Sequence, residues 1–323
     1  MSADVSMAQL DEKLAAANMR GQWKSEAFLS AAIGGPKPAG EPAVWRWRDV
    51  MALMDEAERA MPESMQARRS IIFQNPALPR GTTGTINMGV QMIMPGEVAW
   101  AHRHSITALR FIIEGDPQLT TIVDGKHCIM ETGDLVLTPN WSWHDHHNRS
   151  DRRAIWLDVL DVPLLLGLNQ VCYEPGSGEN QPTVDPDRRV GALHYPWREA
   201  SSAVRNLDVD PYQAQTYEYR APETGGPCLT TLTCRLVRLP PCFVGRPLRT
   251  SASSVWFVIA GRGRLDVRNH APINWGARDS FAIPNWAEYF ISNESQVDET
   301  LLFCVSDEPV LRALGLFRSS RAA

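Results

Sequence analysis

The chain has 323 residues, of which 44% are hydrophobic and 21% charged. That composition belongs to a folded globular protein, excludes a disordered or fibrous chain, and makes two domains the expectation at this length. A formal net charge of -5 supplies no basic face for nucleic acid. No run approaches the ~18 apolar residues of a membrane span, and Met1 to Lys24 has neither the charged start nor the apolar core of a signal peptide, so a cytoplasmic protein is expected.

Taken in chain order, residues 1–65 read as a peripheral helical segment. Met7 to Asn18 carries Leu10, Leu14 and Ala17 at helical spacing, and Trp45 to Ala60 carries Met51, Leu53, Met54 and Ala57. Between them Gly34 to Pro42 is a connector rich in helix breakers. From Ile71 the texture changes to short β-branched and apolar runs punctuated by Pro, Gly and Asp, the pattern of an all-β body. A first β unit over 66–173 is followed by a polar, Pro-rich linker over 174–228 and a second β unit over 229–323. The six cysteines, Cys128, Cys172, Cys228, Cys234, Cys242 and Cys304, form no CxxC pair and read as isolated reduced thiols with no catalytic part.

The two β units are a divergent repeat. LRFIIEG ends at Gly115 and VWFVIAG at Gly261; DLVLTPNWSWH starts at Asp134 and DSFAIPNWAEY at Asp279. The offset is 146 for the glycines and 145 for the aspartates and for Trp141 and Trp286, a slip of one residue that a loop can absorb. Short strands repeated in this way suit a small double-stranded barrel or jelly roll whose mouth holds one ligand.

The first unit carries the chemistry. Gly96 is followed after five residues by His102, Arg103 and His104, and residues two apart on a strand share a face, so both imidazoles can enter one barrel. Gly133, five residues, Pro139, then His144 and Asn148 form a second pattern. Together they reproduce the two cupin motifs, GxxxxxHxH and GxxxxxPxxxxHxxxN, although Trp141 stands where the motif usually has Gly. The Glu that a cupin usually adds is absent, since Ala108 and Leu109 occupy its places. Three neutral histidines, His102, His104 and His144, are therefore expected to hold the metal. By alternation His146 shares their face and His147 falls on the solvated or packing side.

At the matching places the second unit has Leu248, Thr250 and Tyr289, which are no metal-ligand set. A metal-free barrel serving packing and oligomerisation is expected there, with Trp256, Phe257, Phe281 and Trp286 as core residues.

PGEVAWAHRHSITALRFIIEG, DLVLTPNWSWHDHHN, IWLDVLDVPL and the terminal SDEPVLRALGLFR resemble the gentisate 1,2-dioxygenase family, which includes salicylate, 5-nitrosalicylate and 1-hydroxy-2-naphthoate dioxygenases. The resemblance spans roughly residues 45 to 318. It implies a mainly β bicupin with N-terminal helices, in a homotetramer, that holds Fe(II) with His102, His104 and His144. It also implies ring cleavage by O2 between the carboxyl-bearing and hydroxyl-bearing carbons of a small aromatic acid. Arg110 matches the family arginine facing the substrate carboxylate, Arg68 a second one, and His146 a histidine near the phenolic oxygen and dioxygen. Gln91 and Asp158 match pocket positions. Asn87 stands where several relatives have an aromatic, and Ser70 at a place that varies with substrate. Both are small and polar, which leaves room for a ring substituent and points to tolerance of several 5-substituted salicylates. Two other readings fit a three-histidine site: a zinc hydrolase or lyase working through metal-bound hydroxide, and a cupin module that binds a small acid without turnover.

Overall fold

In a computed structural model the described residues are 6–61, 69–181 and 192–321. The chain divides into two compact units, the first ending at Lys37 and the second running from Pro38 to Ala323. In the first, the helix Met7–Ala16 starts on a capping box in which Ser6 Oγ accepts from the Gln9 backbone N–H and the Gln9 side chain accepts from the Ser6 N–H. A 3-10 turn, Gln22–Ser25, and a short helix, Glu26–Ala31, follow.

The second unit holds the repeat. Eight strands from Asn87–Ile93 to Ala154–Leu160 match eight from Thr233–Leu239 to Thr300–Ser306. In the first set the strands starting at 135, 108, 154 and 87 form one sheet and those starting at 98, 144, 116 and 126 the other. The second set repeats that order with the strands starting at 280, 254, 300 and 233, and at 248, 288, 262 and 273. The chain is thus two eight-stranded jelly rolls, mainly β, as the sequence predicts.

Register fixes the equivalence: His102 pairs across strands with His144, and Leu248 with Tyr289. The one-residue slip is absorbed in loops. It closes again after Asn148 and Asn293, because the loop from 294 to 299 is one residue longer than that from 149 to 153. The asparagines do the same work in both barrels. The side chain of Asn148 donates to the carbonyls of Ile93 and Arg152, and that of Asn293 donates to those of Leu239, Pro240 and Asp298.

Each barrel turns one sheet toward the other. Alternation places Leu109, Phe111 and Ile113 on the shared face with Leu236, Val255, Phe257 and Phe303, in one buried cluster. Phe111 stacks on Phe303 with ring centroids 4.5 Å apart, and Phe111 and its counterpart Phe257 lie 6.1 Å apart. The opposite faces line separate interiors: Ile112, Val136 and Trp156 in the first barrel, and Val258, Phe281 and Leu302 in the second.

The regions outside the eight strands are exchanged between barrels. Strand Ala43–Trp45 pairs with Ser280–Ile283 of the second barrel, and His194–Tyr195 pairs with Leu135–Thr138 of the first. Each leads into a helix, Trp47–Ala60 or Trp197–Arg205, whose first N–H is accepted by an aspartate of the barrel just joined: Trp47 by Asp279 and Trp197 by Asp134. Residues read from sequence as peripheral helix and linker are therefore built into sheets. In the first of these helices Val50 and Met54 are buried, whereas Leu53, expected on the apolar face, is 54% exposed. A second reciprocal pair seals the interface. Asp161 accepts from Thr107 N–H and from the hydroxyl of Thr231, and Asp307 accepts from Ser253 N–H and from the hydroxyl of Thr85.

Candidate metal centre and active site

His102 and His104 stand on strand Val98–His104 and His144 opens strand His144–Asn148; all three are buried in the first barrel. Their ligand nitrogens lie within 4.8 Å of one another, the one such group among the described residues. Each ring is oriented through Nδ1, against the carbonyl of Trp100 at 2.8 Å for His102, of Ile106 at 2.8 Å for His104, and of Ser142 at 3.0 Å for His144. A backbone carbonyl only accepts, so each Nδ1 carries the proton and each Nε2 keeps a lone pair for a metal. His144 Nε2 is buried with no hydrogen-bond partner, a costly state that a bound cation relieves. Burial above all, then His102 and Arg110, holds the His144 imidazole well below the usual histidine range, in the neutral form that coordination requires. The donor set fits a transition metal.

The turns that bring the ligands together explain the motif. Gly133 has φ +91°, and a Cβ there would sit 2.7 Å from the ring of Trp197. Trp141 has φ +62°, the left-handed conformation for which the motif usually provides Gly. Its backbone N–H donates to the His104 carbonyl at 2.7 Å, and Arg103 stacks 5.7 Å from its ring centroid. Trp286 repeats this with φ +59°, the Thr250 carbonyl, and Arg249 at 5.7 Å. It is half-buried, unlike Trp256, Phe257 and Phe281, which are core as expected.

Around the ligands, His146 is buried on the same face, its Nδ1 2.7 Å from the Thr121 hydroxyl and its ring 5.8 Å from His144 and 5.4 Å from Trp156. His147 is on the packing side and buried, with Nε2 3.1 Å from Asp145. Arg110 lies on strand Ala108–Glu114, 3% exposed, and donates to Thr138 Oγ1 at 2.6 Å. Its Nε is 3.8 Å from Asp158, its cross-strand partner. Asn87 and Gln91 share the inward face of strand Asn87–Ile93; Gln91 is buried and Asn87 half-buried. Ser70 pairs with Gln91 at the sheet edge and is exposed. Arg68 lies outside the described residues. Its neighbour Arg69 is structural: buried, it donates to both carboxylate oxygens of Glu97 at 2.7 and 2.8 Å and to the Met61 carbonyl.

Sequence reasoning missed four residues at this site. Trp156 had a signal, since it alternates with Asp158 along one strand. Thr121 and Thr138 reach His146 and Arg110 across strands, which no local pattern reports. Tyr173, whose ring centroid is 5.4 Å from that of His102, belongs to strand Tyr173–Pro175, which pairs with the edge strand bearing the ligands. The cysteines are free thiols. Burial pushes Cys128 up to about 11 and Cys304 up to about 12, as inert thiols.

A cupin-domain family model matches residues 89–160. 1-Hydroxy-2-naphthoate 1,2-dioxygenase of Nocardioides sp. (strain KP7) is 40% identical, over 95% of this chain and 85% of its own length. This chain belongs to the gentisate 1,2-dioxygenase family. As in the other members of that family, ring cleavage by a dioxygenase is its activity class. Further family members are 5-aminosalicylate 1,2-dioxygenase of Comamonas sp., 34% identical over 97% of this chain and 90% of its own, and gentisate 1,2-dioxygenase 1 of Aquipseudomonas alcaligenes, 33% identical over 88% of each. Salicylate 1,2-dioxygenase from Pseudoaminobacter salicylatoxidans, solved as an adduct with gentisate, superposes with a TM-score of 0.87 at 25% identity, over 100% of this chain and 96% of that one. The family assignment argues against the zinc hydrolase and the inert binding module.

Proposed function

We propose that this member of the family uses Fe(II) to cleave a 2-hydroxy aromatic carboxylate with O2. The carrying observation is the set of three imidazoles whose Nδ1 atoms are all locked on carbonyls, with His144 Nε2 left unpaired in a buried site. His102, His104 and His144 hold the metal, and three neutral ligands leave the ferrous ion its full positive charge, which favours an anionic substrate. When bound, the iron passes electron density from the aromatic ring to dioxygen and brings both reactants to one centre.

The remaining steps fall to side chains. Arg110 receives the substrate carboxylate through charge-assisted hydrogen bonds and so decides which ring carbon faces oxygen. Asp158 and Thr138 hold that guanidinium in place. Thr121 holds His146 Nδ1, and proton exchange with the phenolic oxygen falls to Nε2. Trp156 and Gln91 pack the interior, Tyr173 covers the His102 side, Asn87 and Ser70 leave room for the ring substituent, and Arg68 serves as a second arginine for the substrate. Relatives that act on 1-hydroxy-2-naphthoate, 5-aminosalicylate and gentisate support tolerance at that position.

The enzyme works in the cytoplasm as a homotetramer. Among the described residues no helix is long and apolar enough to cross a membrane, and exposed Leu166, Leu168, Val171 and Tyr173 offer apolar surface for subunit contact. Oxygen uptake by the Fe(II)-loaded protein tests the reading, with gentisate, salicylate, 5-nitrosalicylate, 5-aminosalicylate and 1-hydroxy-2-naphthoate as substrates. Uptake with at least one acid, and none with the corresponding decarboxylated phenol, is expected. No uptake with any of the five would overturn it.

A further inference from the structure

The second barrel has lost the metal ligands but kept a cavity. A space of about 240 Å³ opens where the first barrel has its metal centre, and Leu248, Thr250 and Tyr289 are among its walls. That volume lies just under the ~300 Å³ at the small end of ligand pockets, so it selects a small molecule. Apart from Thr250, the inward positions that hold ionisable or amide side chains in the first barrel are apolar or aromatic here. By register Arg110 corresponds to Trp256, Gln91 to Val237 and His146 to Ile291, and all three line the cavity. Tyr212 and Phe317 add further flat faces.

Against this apolar floor most of the polar side chains can donate hydrogen bonds. Arg235, whose counterpart in the first barrel is Gly89, enters the cavity wall. It uses Nε and one terminal nitrogen on Glu218 and Glu308, and its other terminal nitrogen has no protein partner among the described residues. Ser254 Oγ accepts from the Trp256 indole and Ser306 Oγ accepts from the Glu308 N–H, which leaves both hydroxyl protons to donate. The two serines are direct cross-strand neighbours. Burial pushes the Tyr289 phenol up, so it stays a proton donor. Arg312 and Arg321 stand at the rim, and Glu308, shared by Arg235 and Arg312, is the one carboxylate in the wall. Asp210 and Glu218, which pair with Arg321 and Arg235, lie outside it. The cavity thus offers many donors, few acceptors and flat apolar walls, a combination that matches a carboxylate on an aromatic ring.

We propose that the second barrel is a binding site for a small aromatic monocarboxylate, held by Arg235, Ser254, Ser306 and Tyr289 against Trp256. The site is separate from the metal centre and stands whether or not the ring-cleavage reading holds.

Equilibrium dialysis of the full-length, metal-loaded enzyme against benzoate tests it. Benzoate is also expected at Arg110, so two molecules per chain should bind. Thr250→Phe fills the cavity from a partly exposed wall position and should leave one. Arg235→Gln should weaken one of the two sites at least tenfold, while Arg110→Ala weakens the other. Melting temperatures show which variants are folded, and either of the two second-barrel variants suffices. No bound benzoate, a single benzoate per chain that a folded Thr250→Phe or Arg235→Gln leaves unchanged, or two sites of unchanged affinity in either folded variant would overturn the proposal. A single site that those variants remove keeps it and removes only the Arg110 site.

Discussion

The two barrels share a framework and differ in what they enclose. Both have eight strands in the same sheet order, the same bridging asparagine and the same tryptophan in a left-handed corner stacked on an arginine. Inside the first are His102, His104, His144, His146, Arg110 and Asp158; at those places the second has Leu248, Thr250, Tyr289, Ile291, Trp256 and Cys304. The framework therefore does not depend on the metal site, and the metal site depends on side chains that the framework merely aims. Burying six ionisable groups in one barrel interior is costly, and only function accounts for retaining them in one copy of the repeat.

The strongest test of this asymmetry removes a ligand. His104→Ala should abolish metal binding and lower turnover to the limit of detection, because an open site with two protein ligands binds weakly. Metal analysis of the unsubstituted protein should give about one ion per chain. Two ions per chain would show that the second barrel also binds one and would break the comparison.

A smaller effect separates His146 from the ligands. His146→Ala should keep its metal while kcat falls by roughly 10² to 10⁴, the range for loss of a general acid or base. Loss of metal in that variant would make His146 a support of the centre instead. Thr121→Val removes the hydroxyl that holds His146 Nδ1 and should give part of the same fall.

Arg110 comes next. Arg110→Gln should raise KM with kcat largely kept, losing about 2 to 3 kcal/mol, a factor of roughly 30 to 150, as for a hydrogen bond to a charged group. Asp158 would be left buried without its cation, so a loss of stability should accompany the kinetic change. A KM that does not move would transfer the carboxylate to Arg68.

How much of this could be read from the sequence depends on whether the information is local. His102 and His104 share a strand face, and the spacing from Gly133 to Asn148 fixes a turn and the start of the next strand, so a metal centre could be inferred from short patterns. The repeat itself was visible as Gly115 and Gly261, or Asp134 and Asp279. The exchange of edge strands was not. His194 and Tyr195 pair with Val136 and Leu135 across almost 60 residues, and nothing in their neighbourhood announces it. Thr121 and Thr138 escaped notice for the same reason, because cross-strand partners are set by register, which only the folded sheet defines. Ser70 is the converse: only family resemblance pointed to it, and in the fold it is an exposed residue of the sheet edge paired with Gln91.

The smallest expected effect asks whether the seam between the barrels is as symmetric as their frameworks. Asp161 and Asp307 occupy matching places, each accepting from a backbone N–H of its own barrel and a threonine hydroxyl of the other. Burial raises both carboxyl groups above the ordinary value of 3.8, and the hydrogen bonds offset it only in part. A raised carboxyl pKa in the folded chain means that the folded state holds its proton more tightly than the unfolded state. Stability should therefore fall as pH rises from about 3.8 toward the folded value, then level off once both states are ionised. Asp161→Asn and Asp307→Asn each keep an oxygen that can accept the N–H and remove the charge that must be desolvated. Each should flatten that slope by a similar amount in urea unfolding followed across pH 4 to 8, and the double variant should flatten it by the sum, the two sites sharing no partner. Equal changes would show that the interface kept its two-fold character after the barrel interiors diverged. A flattening in one variant alone would show that the seam, like the interiors, has become asymmetric.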